Sequence, residues 1–142
     1  MSENISKTDE LLKIENLSVE YRTEDVIFHA VNNISLEVGR GETLGLVGET
    51  GAGKTTLALS IMSLLPSRIG FVTEGKIWLN QRDITKMSKA ELQKMRGSQV
   101  SMIFQDPMTS LNPLMTVEEQ IAEVLHAHNN LTNSETSDRV DE

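Results

Sequence analysis

The sequence predicts an α/β fold in which a β-hairpin precedes a strand, a glycine-rich loop and a helix. Apolar residues alternate over residues 12–21, with a phase slip at 15–16 that a β-bulge would absorb. A second alternation over 34–38 runs into a turn at 39–42, so the two segments predict an antiparallel hairpin. The short apolar run 43–47 predicts a buried strand that leads directly into glycines and a helix-competent stretch.

Predicted strands and helices also alternate along the rest of the chain. Residues 77–79 predict a further strand, and a capping box at 88–91 opens a helix that ends near Gly97. Residues 100–104 are mostly apolar and predict another strand, and 116–119 form a second capping box. The helix after this box has one apolar face, made by Val117, Ile121, Val124 and Leu125.

Composition excludes several classes of function. At 142 residues the chain has room for one domain, and its net charge of -8 argues against non-specific binding to nucleic acid or anionic lipid. It contains no cysteine, which excludes disulfides and thiolate metal sites. The N-terminus has no signal-peptide segment, and no run approaches the roughly 18 apolar residues of a spanning helix. We therefore expect a cytoplasmic protein with no nucleic-acid partner and no direct membrane insertion.

One motif points to phosphate chemistry. The P-loop pattern GxxxxGK[ST] is matched by Gly48, Gly53, Lys54 and Thr55. It follows a predicted strand and opens a predicted helix, so successive backbone N–H groups would surround a phosphate at the positive end of that helix. Lys54 is placed to bridge the β- and γ-phosphates of a nucleotide, and the Thr55 hydroxyl is a hard oxygen ligand for Mg²⁺. The alternative, a glycine-rich turn with a surface lysine, is disfavoured by the flanking strand and helix.

Four other residues are open to more than one interpretation from spacing alone. Tyr21 fits ordinary strand packing, and Gln105 fits a loop amide. The apolar run before Gln105 does not match the aspartate strand that holds Mg²⁺ in P-loop enzymes, because Asp106 comes one place late and precedes a proline. His126 and His128 have no partner at metal-ligand spacing, so we predict that both are solvated.

Three segments carry a resemblance to a known family. They read LSVEYRT near the start, AVNNISLEVGRGETLGLVGETGAGKTTLALSIMSLLP around the P-loop, and VSMIFQDPMTSLNPLMTVEEQI further on. From about Leu12 onward the chain resembles the ATP-binding subunits of ABC transporters, in the branch that imports oligopeptides, dipeptides and nickel. The resemblance implies a P-loop NTPase core of the ABC ATPase type, with an N-terminal antiparallel β subdomain, incomplete at its C-terminal side.

The resemblance also assigns roles to individual residues. Tyr21 falls where the family's adenine-stacking aromatic lies, and Gln105 matches the Q-loop glutamine that meets Mg²⁺ and the attacking water. By the same implication Lys54 and Gln105 are catalytic, and Thr55 and Gln105 are Mg²⁺ ligands. The residues implied to bind ATP are Tyr21, Gly48, Glu49, Thr50, Gly51, Ala52, Gly53, Lys54, Thr55 and Thr56. The branch more often has serine at positions 50, 52 and 55, and Thr55 retains the hydroxyl that Mg²⁺ needs.

Partners follow from the resemblance as well. The loop after Gln105 is expected to touch membrane-spanning permease subunits, and a second ATP-binding subunit is expected to complete a homo- or heterodimer. The chain would then lie on the inner face of the cell membrane, held there by protein contacts.

The sequence contains no LSGGQ-like signature, no apolar strand ending in Asp-Glu and no later switch histidine. Two hypotheses for function therefore remain open. One is an ATP-hydrolysing subunit that drives import of peptides, or alternatively nickel. The other is a nucleotide-binding fragment that is catalytically incomplete. A P-loop kinase or GTPase is disfavoured, because no NKxD-like guanine reader is present and the segment around Gln105 fits neither class.

The domain organisation predicted from these patterns has three parts. Residues 1–11 form a polar tail, and residues 12–130 form the N-terminal part of an ABC ATP-binding domain. Residues 131–142 form a second polar tail, interpreted as a truncation point, in which Ser134 is a candidate helix cap.

Overall fold

The computed structural model describes residues 10–105, 111–129 and 131–141. The chain divides into two compact units, the first ending at Leu92 and the second beginning at Gln93. None of the helices in the described part combines the length and the apolar character that crossing a membrane requires.

The first unit is built on a four-stranded sheet with the strand order β2-β1-β3-β4. Its elements are β1 (Glu10–Arg22), β2 (Ile27–Gly39), α1 (Lys54–Ile61), β3 (Gly70–Leu79), β4 (Arg82–Asp83) and a 3-10 turn (Ile84–Lys86). The next helix, α2 (Lys89–Met95), runs across the boundary between the units. The predicted hairpin and the strand predicted at 77–79 are confirmed, since β1 pairs antiparallel with both β2 and β3.

The bulge predicted in β1 is present at Asn16. The register with β2 shifts between Ile14 and Leu17, and Asn16 has a left-handed φ of 48°. The Asn16 amide donates to Ser35 Oγ at 2.9 Å, so the displaced N–H retains a partner. Because the bulge changes the phase of the alternation, Ile14 and Leu17 are both buried, at 1% and 0% exposure.

The core of the first unit draws on the sheet, on α1 and on the segment after α1. Its buried apolar residues are Ile14, Leu17, Val19, Val31, Leu57, Met62, Ile77, Leu79 and Ile84. Full burial of a side chain of this size stabilises the fold by about 1.5–3 kcal/mol relative to exposure. Since α1 contacts β2, burial of its apolar side also attaches the P-loop helix to the sheet.

The strand predicted at 43–47 is not a strand in the structure. These residues have no regular secondary structure, and Leu44, Leu46 and Val47 are 45%, 48% and 99% exposed. The prediction was wrong because an apolar run specifies only strand propensity, whereas a strand needs a neighbour that pairs with its backbone. Within the described residues no strand pairs with this segment.

The strand predicted at 100–104 is wrong for the same reason. Val100 forms an isolated bridge with Arg96, and residues 101–104 have no regular structure. Ile103 and Phe104 are 98% and 52% exposed, so these two apolar side chains are not packed in a core.

Helix starts were predicted more accurately. At α2 the Ser88 amide donates to Glu91 Oε2 at 2.9 Å and the Glu91 amide donates to Ser88 Oγ at 3.4 Å, which confirms the capping box. In the second unit, Thr116 and Glu119 cap the next helix in the same reciprocal way, at 2.7 and 3.2 Å. This helix is α3 (Val117–His128).

The apolar face predicted for α3 lies largely at the surface. Val117, Ile121 and Val124 are 59%, 42% and 60% exposed. The helix contacts a last helix, α4 (Asn133–Asp141). Thr132 caps α4, not Ser134 as predicted: the Thr132 amide donates to Glu135 Oε2 at 2.8 Å, and the Glu135 amide donates to Thr132 Oγ1 at 3.4 Å.

Asp83 caps the 3-10 turn Ile84–Lys86, which follows β4 in the chain. Its Oδ1 accepts from the Thr85 amide at 3.1 Å and from the Thr85 hydroxyl at 2.5 Å, and Lys86 Nζ lies 3.5 Å from Oδ2. Burial opposes ionisation of this carboxyl. The hydrogen bonds from Thr85 and the ammonium of Lys86 outweigh burial, and they hold the pKa of Asp83 below its ordinary value.

The depressed pKa of Asp83 predicts a specific acid sensitivity. Its contribution to stability is complete above the ordinary aspartate pKa of about 3.9 and is lost as pH falls through the lower folded pKa. When pH is lowered from neutral into this acid range, we expect the free energy of unfolding to fall less in Asp83→Asn than in the parent chain. Urea unfolding followed through Trp78, the one tryptophan, measures this. Asp25→Asn, at an exposed position in the β1–β2 turn, should keep the parental pH profile, and equal profiles for all three chains would contradict the prediction.

Candidate functional site

The lysine of the P-loop forms hydrogen bonds with the backbone of the loop itself. Lys54 Nζ donates to the carbonyl oxygens of Gly48 at 2.6 Å and Glu49 at 2.7 Å. The Ala52 amide donates to the Glu49 carbonyl at 3.1 Å, which closes the turn at the tip of the loop. The ammonium is therefore held over the loop backbone, next to the helix that the loop opens.

The N-terminus of α1 has the features of an anion site. Gly53 precedes the helix in a left-handed conformation, with φ of 81°, and no side chain caps the helix. The first turn carries no acidic residue. The first amides of a helix have no intrahelical acceptor and lie at the positive end of its dipole, so a phosphate placed here would meet N–H donors and a favourable field.

A contact with β2 positions this helix end. A Cβ atom added to Gly53 would lie 2.2 Å from the carbonyl oxygen of Ala30 and 3.5 Å from Val31 Cγ2. Only glycine fits a backbone that passes this close while keeping a positive φ. The P-loop backbone at Gly53 therefore lies directly against β2.

The threonines that follow the lysine differ in exposure. Thr55 is exposed at the helix start, where its hydroxyl is available to a ligand, whereas Thr56 is 8% exposed. At the tip of the loop Thr50 and Gly51 are exposed. The predicted P-loop residues thus lie next to one another on the loop and in the first turn of α1.

Tyr21 is brought to this site by the sheet. It lies near the end of β1, and its hydroxyl is 3.3 Å from Thr56 Oγ1. The two residues are 35 positions apart, so no local pattern in the sequence indicates the contact. The structure therefore joins the predicted aromatic to the P-loop helix through a residue pair that sequence reasoning missed.

Gln105 belongs to the second unit and is exposed. It is the last residue before 106–110, which lie outside the described residues, and this segment includes the start of the loop predicted to touch permease subunits. The catalytic and Mg²⁺ roles of Gln105 remain predictions.

The two histidines of α3 are exposed, as predicted, but each has a neighbour. His126 Nε2 lies 3.0 Å from the hydroxyl of Thr136, which is 3% exposed, and the His128 ring lies against Gly97. In the part of the chain that the structure describes, no cluster of three or more His, Cys, Asp or Glu side chains could hold a metal ion.

Comparison with known proteins identifies relatives over most of the chain. The sequence profile of the family described as ABC transporter matches residues 31–142. The chain is 43% identical to the oligopeptide transport ATP-binding protein AppD of Bacillus subtilis, covering 91% of this chain and 39% of that protein. It is 46% identical to the oligopeptide transport ATP-binding protein OppD of Escherichia coli, covering 91% and 38%. The chain thus spans about two-fifths of the length of these relatives.

Solved structures give the same assignment of fold. The dimeric structure of MJ0796, a bacterial ABC transporter cassette, matches with a TM-score of 0.73 and 25% identity, over 91% of this chain and 53% of that one. A post-hydrolysis state of the MJ0796 cassette bound to ADP and Pi matches with a TM-score of 0.71 and 24% identity, over 92% and 54%. The predicted α/β P-loop fold of the ABC ATPase type, incomplete in this chain, is confirmed.

Because the P-loop backbone lies against β2 at Gly53, two glycine substitutions in the loop should lower the free energy of unfolding by different amounts. Gly53→Ala combines a positive φ with a clash against the Ala30 carbonyl, whereas Gly51→Ala has a positive φ of 86° in open space. Left-handed backbone costs a non-glycine residue about 1–2 kcal/mol. In urea unfolding, we expect Gly51→Ala to lower the free energy of unfolding by this amount and Gly53→Ala to lower it by more. Equal losses would show that the contact with β2 does not position the loop.

Proposed function

Because the chain belongs to the ABC transporter family, we propose that it is the nucleotide-binding N-terminal part of an ATP-binding subunit that energises peptide import. The geometry of the P-loop carries the proposal. Lys54 is held over the loop backbone beside an α1 N-terminus that no side chain caps. The names of the relatives, oligopeptide transport ATP-binding proteins, support peptide rather than nickel as the transported substrate.

In the proposed mode of nucleotide binding, α1, Lys54 and Tyr21 each have a role. The amides at the start of α1 would bind the β- and γ-phosphates. Lys54 Nζ would exchange its bonds to the Gly48 and Glu49 carbonyls for bonds to phosphate oxygens, which are stronger acceptors because they are charged. Tyr21, whose hydroxyl contacts Thr56 in the first turn of α1, would stack on the adenine.

The residues present fit a Mg²⁺ ion that arrives with the nucleotide. Mg²⁺ prefers hard oxygen ligands and is commonly bound through one or two protein groups, substrate phosphates and water. The exposed Thr55 hydroxyl supplies such an oxygen at the start of α1, and we propose Gln105 as a second one. When bound, the ion neutralises charge that develops on the phosphates.

Partners complete the proposal. We propose that a second ATP-binding subunit and membrane-spanning permease subunits act with this chain, the latter touching the loop after Gln105. In this arrangement the chain lies on the inner face of the cell membrane without entering it.

A nucleotide-binding fragment without catalysis is the second candidate. The observation that favours it is the exposure of apolar segments that no strand covers in the described residues, such as Val47 at 99% and Ile103 at 98%. The sequence also lacks a strand ending in Asp-Glu, whose acids hold the metal and orient water in the family. On this hypothesis the chain binds MgATP and does not turn it over.

The test is MgATP affinity and phosphate release, measured side by side on the 142-residue chain with a fluorescent ATP analogue. Lys54→Ala should weaken binding about ten- to a hundredfold, because hydrogen bonds to charged groups contribute about 1.5–3 kcal/mol. Lys89→Ala removes an exposed lysine at the start of α2 and should leave binding unchanged.

Turnover separates the two candidates. Lys54-dependent binding without phosphate release supports the fragment, with hydrolysis belonging to a longer chain. Lys54-dependent release supports an ATPase within these residues. If the chain does not bind MgATP, or if Lys54→Ala and Lys89→Ala behave alike, nucleotide binding at the P-loop is wrong.

A further inference from the structure

We propose that Ser18 and Ser35 are positioning residues that fix the register of the β1–β2 hairpin and, through it, the place where the P-loop meets β2. The inference deepens the proposed function and rests on it. Two hydrogen bonds carry it: the Asn16 amide donates to Ser35 Oγ at 2.9 Å, and the Asn33 amide donates to Ser18 Oγ at 3.1 Å. Both strands contain Asn, an aliphatic residue and Ser in that order, and because the strands are antiparallel each Asn meets the Ser of the other.

Each of these hydrogen bonds belongs to a β-bulge. The residue pairs that bracket the two bulges are Ile14–Leu36, Leu17–Ile34 and Val19–Val31. Between the first two pairs β1 has one residue more than β2, and between the last two pairs β2 has one residue more than β1. The extra residues compensate each other, so the register is the same on the two sides of the bulges. Asn16 and Asn33 have left-handed φ angles of 48° and 51°, which asparagine tolerates better than most residues.

The bulge in β1 is also held by β3. Gly75 has a φ of 86°, and a Cβ atom added to it would clash with the carbonyl oxygens of Glu15 and Asn16. The register between β1 and β3 shifts at the same place, between Glu15 and Ser18. The backbone of β3 thus passes directly over this bulge on one side, while Ser35 holds it on the other.

The bulge in β2 lies next to the residues that contact the P-loop. Ala30 and Val31 come just before it in the chain. The Ala30 carbonyl is so close to Gly53 that a Cβ atom does not fit there, and Val31 Cγ2 would lie 3.5 Å from such an atom. Val31 is itself 7% exposed and pairs with Val19. A change of register at Asn33 would therefore move the strand segment on which the start of α1 rests.

The serines stabilise the register because they supply acceptors that the bulges take away. A bulge interrupts the ladder and leaves a backbone amide without a partner on the facing strand. A serine hydroxyl at each bulge accepts that amide, so the bulged form keeps its hydrogen bonds. If one bulge were lost, the strands would slip by one residue and the faces of β2 would be exchanged. Val31 would then leave the core, and the Ala30 carbonyl would no longer face Gly53.

The coupling of the two bulges can be measured without any ligand, by hydrogen exchange of the Asn16 and Asn33 amides. Ser18→Ala removes the acceptor of the Asn33 amide alone, and Ser35→Ala removes that of the Asn16 amide alone. Ser18 is half-buried and Ser35 is exposed, so neither change removes a core side chain.

Since one bulge without the other puts the strands out of register, we expect either Ala variant to speed the exchange of both amides. The expected factor is about two- to tenfold, the range for one neutral hydrogen bond. Ser18→Thr and Ser35→Thr retain the hydroxyl and should keep the parental rates. Faster exchange of only the amide that lost its acceptor, or of neither amide, would overturn the inference.

The positioning role is tested by the affinity for MgATP, measured with the fluorescent analogue on the 142-residue chain. We expect Ser18→Ala and Ser35→Ala each to weaken binding about two- to tenfold, because chains in a shifted register do not bind and lower the competent fraction. The two Thr variants should bind like the parent chain. Ser98→Ala removes a serine hydroxyl that donates to the Lys94 carbonyl in the second unit, and it should leave the affinity unchanged.

The outcomes separate this inference from the proposed function. If both amides exchange faster in the Ala variants but MgATP affinity is unchanged, the serines do not position the P-loop and the positioning role is wrong. A loss of affinity in Ser98→Ala as large as in the hairpin variants leads to the same conclusion. If the parent chain does not bind MgATP, the proposed function fails together with the positioning role, while the exchange rates still show whether the two bulges are coupled.

Discussion

The close approach of the P-loop to β2 is the constraint on which the rest of the site depends. Gly53 lies so near the Ala30 carbonyl that a Cβ atom cannot be placed there, and this contact fixes where α1 begins. Once the first turn of α1 is fixed on the sheet, Lys54 is in reach of the loop carbonyls and Thr56 is in reach of Tyr21. The site is thus a property of the junction between a sheet and a helix rather than of the loop alone.

Features with local causes could be predicted from the sequence. The capping boxes at Ser88 and Thr116 place both partners within three residues, so their hydrogen bonds depend on little beyond the local chain. The bulge at Asn16 was visible as a slip in apolar alternation, because one face of the hairpin must stay buried. The P-loop motif indicated residues that lie together in the structure, whereas the role proposed for Tyr21 rests on the family resemblance.

Features that depend on distant partners could not be predicted. Residues 43–47 and 100–104 have strand composition, yet whether they form strands is decided by neighbours elsewhere in a sheet. The Tyr21–Thr56 contact also joins elements whose spacing no periodicity encodes. The cap of α4 is different, because Thr132 and Glu135 form a local capping box. The sequence thus contains the signal for this cap, although the predicted cap was Ser134.

The internal bonds of Lys54 have a consequence for selectivity. Its ammonium already has two backbone acceptors, at 2.6 and 2.7 Å, so an incoming anion must compete with them instead of meeting a free cation. Singly charged or diffuse anions gain little from that exchange, while a chain of adjacent phosphates offers several charged oxygens at once. On the proposed function, the loop would therefore discriminate by the number of phosphates on the ligand, independently of which base the ligand carries.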